Sequence, residues 1–178
     1  MDELMRLKPP HSADVEQEVL AAVLVNDDAV PFAASMLTPD DFYLIRHRVV
    51  YEAAVAVFKE HGAVDLVLLE ERLKVAGKLE AAGGLAGVAR LLDRKGYSQH
   101  LERYAEVLKA KTLQRRLIDI GSEVDLLARE DDLTSTERLQ RVDHMVRGLY
   151  NDADTGGLEH VSQAVERHRQ MVARAEDS

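Results

Sequence analysis

Apolar residues recur at helical spacing along most of this chain. Val15, Val19, Leu20, Val23 and Leu24 follow one another at the intervals that build one face of a helix. Ser12, placed after Pro9, Pro10 and His11, stands where the N-cap of that helix belongs. Asp27 is placed to cap a second helix through Met36, and Asp65 a third that ends at Gly77, where glycine tolerates the left-handed cap conformation. The pair Gly83-Gly84 opens a fourth segment, LAGVARLLDR. The run VDLVLL has a strand's composition, but EERLKV continues it at helical period. No Asn-Gly or Asp-Gly hairpin signal occurs. The pattern predicts an all-α fold.

One stretch gathers the residues from which active sites are made. TPDDFYLIRHR, residues 38–48, holds Asp40, Asp41, Phe42, Tyr43 and His47 between two arginines. Thr38 suits an N-cap, Pro39 the first helical position, and Asp41 the third, where it closes a capping box. Both carboxylates then favour the positive end of a helix dipole, each by about 0.3–1 kcal/mol. Ile45, Val49, Ala53, Ala56 and Val57 continue as an apolar stripe that ends near Gly62. Asp41 and His47 are spaced onto different helix faces, no HxxxH or HExxH pair occurs, and the histidines are scattered singly. The stretch reads as a helix start, with no metal or catalytic cluster.

From Ser98 a much longer helix is predicted, to Arg129, and its apolar residues change sides. Leu101, Tyr104, Ala105 and Leu108 share one face, whereas Leu113, Leu117, Ile120, Val124 and Leu127 point nearly opposite. One half should pack into an N-terminal head and the other should leave it. Thr134-Ser135-Thr136-Glu137 is a second capping box, followed by Leu139, Val142, Val146 and Leu149. Two stripes joined by a short acidic turn predict an antiparallel helical hairpin. Ile118 and Leu126 fall outside that seam. Either they are surface or edge residues, or they mark a second interface, since a helix apolar on two sides generally has two partners.

Beyond Tyr150, NDADTGG has the composition of a linker, and Leu158, Val161, Val165 and Val172 mark one narrow stripe on a final helix. The expected organisation is a head over 1–97, the hairpin of the same domain over 98–150, a linker over 151–157 and a separate helix over 158–175. Such a helix is marginal alone and needs a surface to dock on.

Composition narrows the function. Cysteine is absent, which removes disulfides, zinc–thiolate sites and cysteine catalysis. The net charge of −9 argues against a surface that grips DNA alone. Lys109, Lys111, Arg115 and Arg116 are the nearest approach to a basic patch and read as a solvated helix face. No apolar run is long enough for a membrane span, and MDELMRLK is not a signal peptide, so a cytoplasmic protein without a membrane partner is expected. Gly77-Lys78 is the single Gly-Lys pair, with Leu79 and Arg72 where a phosphate loop needs a hydroxyl residue and a glycine. Neither nucleotide hydrolysis nor a cofactor is expected of these residues.

PPHSADVEQEVLAAVL, DDFYLIRHRVVYEA, VDLVLLEERL, GGLAGVARL and ERYAEVLKAKTLQRRLI, in this order and spacing, resemble the N-terminal domain of the bacterial replicative DNA helicase (DnaB-type). The likeness spans residues 9–150, and the remainder resembles that family's linker and linker helix. Ala21-Ala22 stand where the family often has glycine, and the loop DRKGYS is unlike the family's usual one.

The resemblance implies a collar domain that pairs through hairpins into dimers, three around a hexameric ring. It also implies an intact parent with an ATP- and magnesium-dependent motor that unwinds DNA, and makes this chain a fragment that stops short of that motor. DNA would be met mainly through the motor. The primase C-terminal domain is the implied partner, at Ile118, Val124 and Leu139 with Leu126 nearby, and a helicase loader is a further candidate. Leu113, Leu117, Ile120, Leu127, Val142 and Val146 would serve the hairpin and dimer interface. The stripe Leu158, Val161, Val165 and Val172 would dock on a neighbouring subunit's motor. The alternatives are a stand-alone helical adaptor or helicase-partner protein that never had a motor, and a small helical enzyme. The enzyme reading lacks every residue cluster it needs.

Overall fold

The structure, a computed structural model, describes residues 8–94 and 98–150, and every regular element among them is helical. The expected linker over 151–157 and helix over 158–175, with Leu158, Val161, Val165 and Val172, lie outside the described residues. The chain divides into two compact units between Arg115 and Arg116.

The first unit, the head, is built around α1 (Ala13–Val25), on which α2 (Ala29–Met36), α3 (Ile45–His61) and α5 (Gly84–Leu92) pack. Every residue from Val19 to Leu24 is buried, so α1 is a core helix rather than a surface one. Ala21 and Ala22 are fully buried and let neighbouring helices come close. Val30, Val50, Val57, Leu69, Leu73, Val88, Leu101 and Leu108, drawn from the remaining head helices, are buried as well. Each such side chain contributes about 1.5–3 kcal/mol by leaving water. VDLVLL is helical: α4 (Leu66–Val75) is capped by Asp65, whose carboxylate accepts the Val67 and Leu68 amides. Gly77, at φ +65°, ends the turn beyond α4 as its position predicted.

Two helix starts differ from expectation. Asp27 does not cap α2, because its carboxylate accepts the Val64 amide at 2.8 Å and so ties the start of α2 to the approach to α4. Asp28 takes the N-cap position instead. The Thr38–Asp41 capping box forms as predicted, with the Asp41 carboxylate accepting the Thr38 amide at 2.8 Å. It caps only a single 3-10 turn (Pro39–Asp41), and α3 starts afresh at Ile45. The predicted α3 stripe shifts accordingly. Ile45 is exposed, whereas His47, Val50, Tyr51 and Ala54 turn inward with Val49, Ala53 and Val57.

A 3-10 turn (Ser98–His100) leads into α6 (Leu101–Arg129). Up to Arg115, α6 belongs to the head, into which Leu101, Ala105 and Leu108 are buried. The second unit holds the rest of α6, the acidic turn and α7 (residues 135–150). Thr134 and Glu137 form the predicted capping box at the start of α7: the Glu137 carboxylate accepts the Thr134 amide at 2.9 Å and the hydroxyl at 2.6 Å. These two bonds pull the Glu137 carboxyl below its ordinary value. The antiparallel hairpin is present.

Candidate functional site: the hairpin surface

The polar residues of the head come together, but as a buried frame. The Glu16 carboxylate, inaccessible to solvent, bonds His47 Nδ1 at 2.7 Å and accepts the amides of Tyr43 at 2.9 Å and Leu44 at 3.3 Å. Burial pushes the Glu16 carboxyl up, yet His47 and the two amides together outweigh it and leave the group below its ordinary value. Glu16 thereby satisfies amides at the start of α3 that no local cap reaches, which is why α3 begins at Ile45.

Arg115 is correspondingly no solvated basic residue. Its guanidinium donates to the carbonyls of Pro10, Asp40 and Asp41 and lies 5.8 Å over the Tyr43 ring, which also stacks on His11. Tyr51 donates to the Leu37 carbonyl, and burial raises its hydroxyl well above the ordinary value. The Glu16–His47 pair is sealed from solvent and has no nucleophile among its hydrogen-bond partners. No group of three or more His, Asp or Glu among the described residues could hold a metal. Within TPDDFYLIRHR, Asp41 closes the capping box, and the Tyr43 and Leu44 amides and His47 hold the Glu16 carboxylate.

Glu16 carried a signal that spacing could have found. It sits three and four residues before Val19 and Leu20, so a carboxylate occupies the apolar face. His47, at the same intervals from Val50 and Tyr51, is its counterpart.

The hairpin carries the exposed chemistry. Its seam is formed by Ile120, Val124 and Leu127 of α6 with Val142, Met145 and Leu149 of α7. Only Leu127 among them is fully buried, at 5% exposure. The expected α7 seam through Leu139 and Val146 is corrected, since Leu139 is 71% exposed and Val146 is also open. Met145 takes the place they were expected to fill. The cause is Arg138, which folds over the end of α6 and donates to the carbonyls of Leu127 and Glu130. A cation at the negative end of a helix is favoured, and this contact sets the rotation of α7. On α6, Leu117 is exposed rather than in the seam, and Leu113 is an exposed residue of the head unit. Ile118 and Leu126, 53% and 66% exposed, face away from the seam as expected.

Helical geometry sorts these residues into sides. At about 100° per residue, Leu139, Val146 and Tyr150 lie roughly a quarter-turn past the α7 seam, and Leu117 and Ala128 are displaced in the same sense past the α6 seam. In antiparallel helices, displacements of equal sense emerge on the same broad side. One side of the hairpin is therefore apolar. On the other side Arg141 pairs with Glu130, as the same rule requires. There a shallow groove of about 270 Å³ is lined by Arg116, Asp119, Ile120, Glu123, Met145, Gly148 and Leu149.

Residues 8–110 match the family described as "DnaB-like helicase N terminal domain". The chain belongs to this family. Among DnaB relatives, the "Replicative DNA helicase DnaB" of Rhodothermus marinus is 36% identical over 63% of this chain and 12% of its own length. That of Geobacillus stearothermophilus is 33% identical over 70% of this chain and 28% of its own. The chain thus spans less than a third of either relative. The crystal structure of the N-terminal domain of DnaB helicase from Mycobacterium tuberculosis superposes with a TM-score of 0.73 at 26% identity. It covers 80% of this chain and 99% of the M. tuberculosis chain, which is more than the head alone supplies. The DnaB family match ends before Arg116, so the hairpin surface lies beyond it.

Proposed function

We propose that this chain is the assembly and partner-binding collar of a replicative DNA helicase, which self-associates through the apolar side of its hairpin and receives the primase on the outer edge of α6. The observation that carries the reading is the side on which Leu117, Leu139, Val146 and Tyr150 stand exposed together on a two-helix unit. Water-exposed apolar side chains clustered on so small a unit mark an interface, and a two-fold pairing of hairpins would cover them. Membership of the DnaB family supports the role in DNA replication. The intact parent would be ATP- and magnesium-dependent, assembled as a hexamer of three dimers and acting at the fork in the cytoplasm.

Light scattering and sedimentation on two variants test the pairing. Leu139→Arg adds a charge on the exposed side and should give monomers with an unchanged melting temperature. Val142→Arg places a charge in the half-buried seam and should cost several kcal/mol, melting the hairpin itself. If Leu139→Arg sediments like the parent, the apolar side is not the pairing surface.

For the primase, Ile118 is the decisive position because it is exposed and lies away from both the seam and the apolar side. Ile118→Asp should weaken binding of the primase C-terminal domain by about 1–3 kcal/mol in titration calorimetry, with the fold intact. Unchanged affinity would remove Ile118 from the contact.

A further inference from the structure

α7 carries two apolar stripes that overlap. Val142, Met145 and Leu149 form the half-buried seam, and Leu139, Val142 and Val146 repeat the same intervals three residues earlier. An offset of three residues is an angle of about 60° around a helix, so a turn of α7 by that amount about its own axis exchanges one stripe for the other. The exchange trades a methionine and a leucine for a leucine and a valine around the shared Val142. The apolar content of the seam hardly changes.

Little in the hairpin opposes such a turn. Among the seam residues only Leu127 is fully buried. Bringing Leu139 and Val146 inward swings Met145 towards the Arg141 side, where the groove lined by Met145 and Gly148 leaves room for it. A Cβ built at Gly148 or at Gly121 would meet nothing within 4 Å, so neither position is packed against a neighbour. Two contacts hold the observed rotation. Arg141 pairs with Glu130 at 3.5 Å, but both side chains are 54% exposed, and such pairs contribute little. The other contact is Arg138, which donates to the Leu127 and Glu130 carbonyls at the end of α6. Arg138 lies on the line of the observed seam, and the turn carries it away from both carbonyls.

We infer that α7 has two seatings, the observed one selected by Arg138 and a second turned by about 60°, in which Leu139 and Val146 fill the seam in place of Met145 and Leu149. Leu139 and Val146 stand on the apolar side only in the first seating. The rotation of α7 is therefore a switch on self-association. Pairing of two hairpins holds the first seating, and whatever draws Arg138 off α6 withdraws the pairing surface. That consequence rests on the pairing proposed above, whereas the two seatings themselves do not.

Full-length chains labelled at the methyl groups of Ile, Leu, Val and Met test both parts. In the parent, methyl cross-relaxation should join Met145 to Ile120. In Arg138→Gln that contact should fall several-fold, and contacts of Val146 with Ile120 and of Leu139 with Leu127 should replace it. Met145→Ser leaves Arg138 and the apolar side untouched and should bring the same Val146 and Leu139 contacts, whereas Met145→Leu should keep the parent seating. Arg138→Gln and Met145→Ser should both sediment as monomers with their helical content kept. Absence of the new contacts from both variants, or loss of α7 amide protection in both, overturns the inference. Variants that exchange contacts yet remain paired would remove the switch. A parent that is itself monomeric, with the contacts exchanging in the variants, would uphold the two seatings and sink the pairing instead.

Discussion

Glu16 shows how one residue can fix the start of a helix that lies far from it in sequence. Its carboxylate is the meeting point of α1, the Tyr43 and Leu44 amides and His47. Glu16→Gln keeps the size but turns an amide NH2 towards donors, leaving at least one buried amide without an acceptor. Urea unfolding near neutral pH should show a loss of about 1–3 kcal/mol. The pH dependence has a definite sign. The Glu16 carboxyl lies below its ordinary 4.5 in the folded chain, so the unfolded chain takes up the proton first as pH falls. The stabilisation from the carboxylate is complete above the unfolded value and drains away as pH drops through the folded one. Stability curves of parent and Glu16→Gln should run parallel above pH 5 and converge below the unfolded value near 4.5. Parallel curves down to pH 3 would assign the stabilisation elsewhere. A local reading of TPDDFYLIRHR could not reach this answer, because the ligand that organises it sits 27 residues upstream of Tyr43.

Helices that are closed by their own residues were legible in the sequence, and those closed by distant ones were not. Asp65, Gly83 and the Thr134–Glu137 box act where their positions predicted. Asp27 and the start of α3 do not, since Val64 and Glu16 compete for those groups from elsewhere in the head. The hairpin divides in the same way. Its existence and its turn follow from two apolar stripes and a capping box, but the rotation of α7 follows from Arg138 reaching the carbonyls of α6. An apolar residue every three or four positions fits Leu139–Val142–Val146 as well as Val142–Met145–Leu149. Only the tertiary contact chooses. Thr134→Ala removes the side chain of a box that bridges no other element, and should cost about 1 kcal/mol. The loss should appear as faster amide exchange in the first turn of α7, with the head unaffected. Equal acceleration in α1 would mean that the cap supports more than the hairpin.

At the scale of the molecule, the all-α class and the family were readable from motif order, because the helix punctuation and PPHSADVEQEVLAAVL through LQRRLI lie in the well-packed head and its exit helix. The interaction surface was readable only in part. Ile118 and Leu126 stood out as misfits to one stripe, whereas the apolar side through Leu139, Val146 and Tyr150 needs the observed rotation of α7 before it exists. Gly121 and Gly148 carry a further consequence. Both sit inside helices, where glycine is about 0.8–1 kcal/mol worse than alanine, and neither has an atom within 4 Å of where a Cβ would stand. The hairpin, with one fully buried seam residue, is therefore held further from its stability optimum than the head. Gly121→Ala should slow tryptic cleavage after Arg116 and Arg129 and raise the temperature at which helical signal is first lost, while the main transition stays put. A heated chain would thus shed its connecting arms before its body, and an assembly built on those arms would come apart while every head in it was still folded.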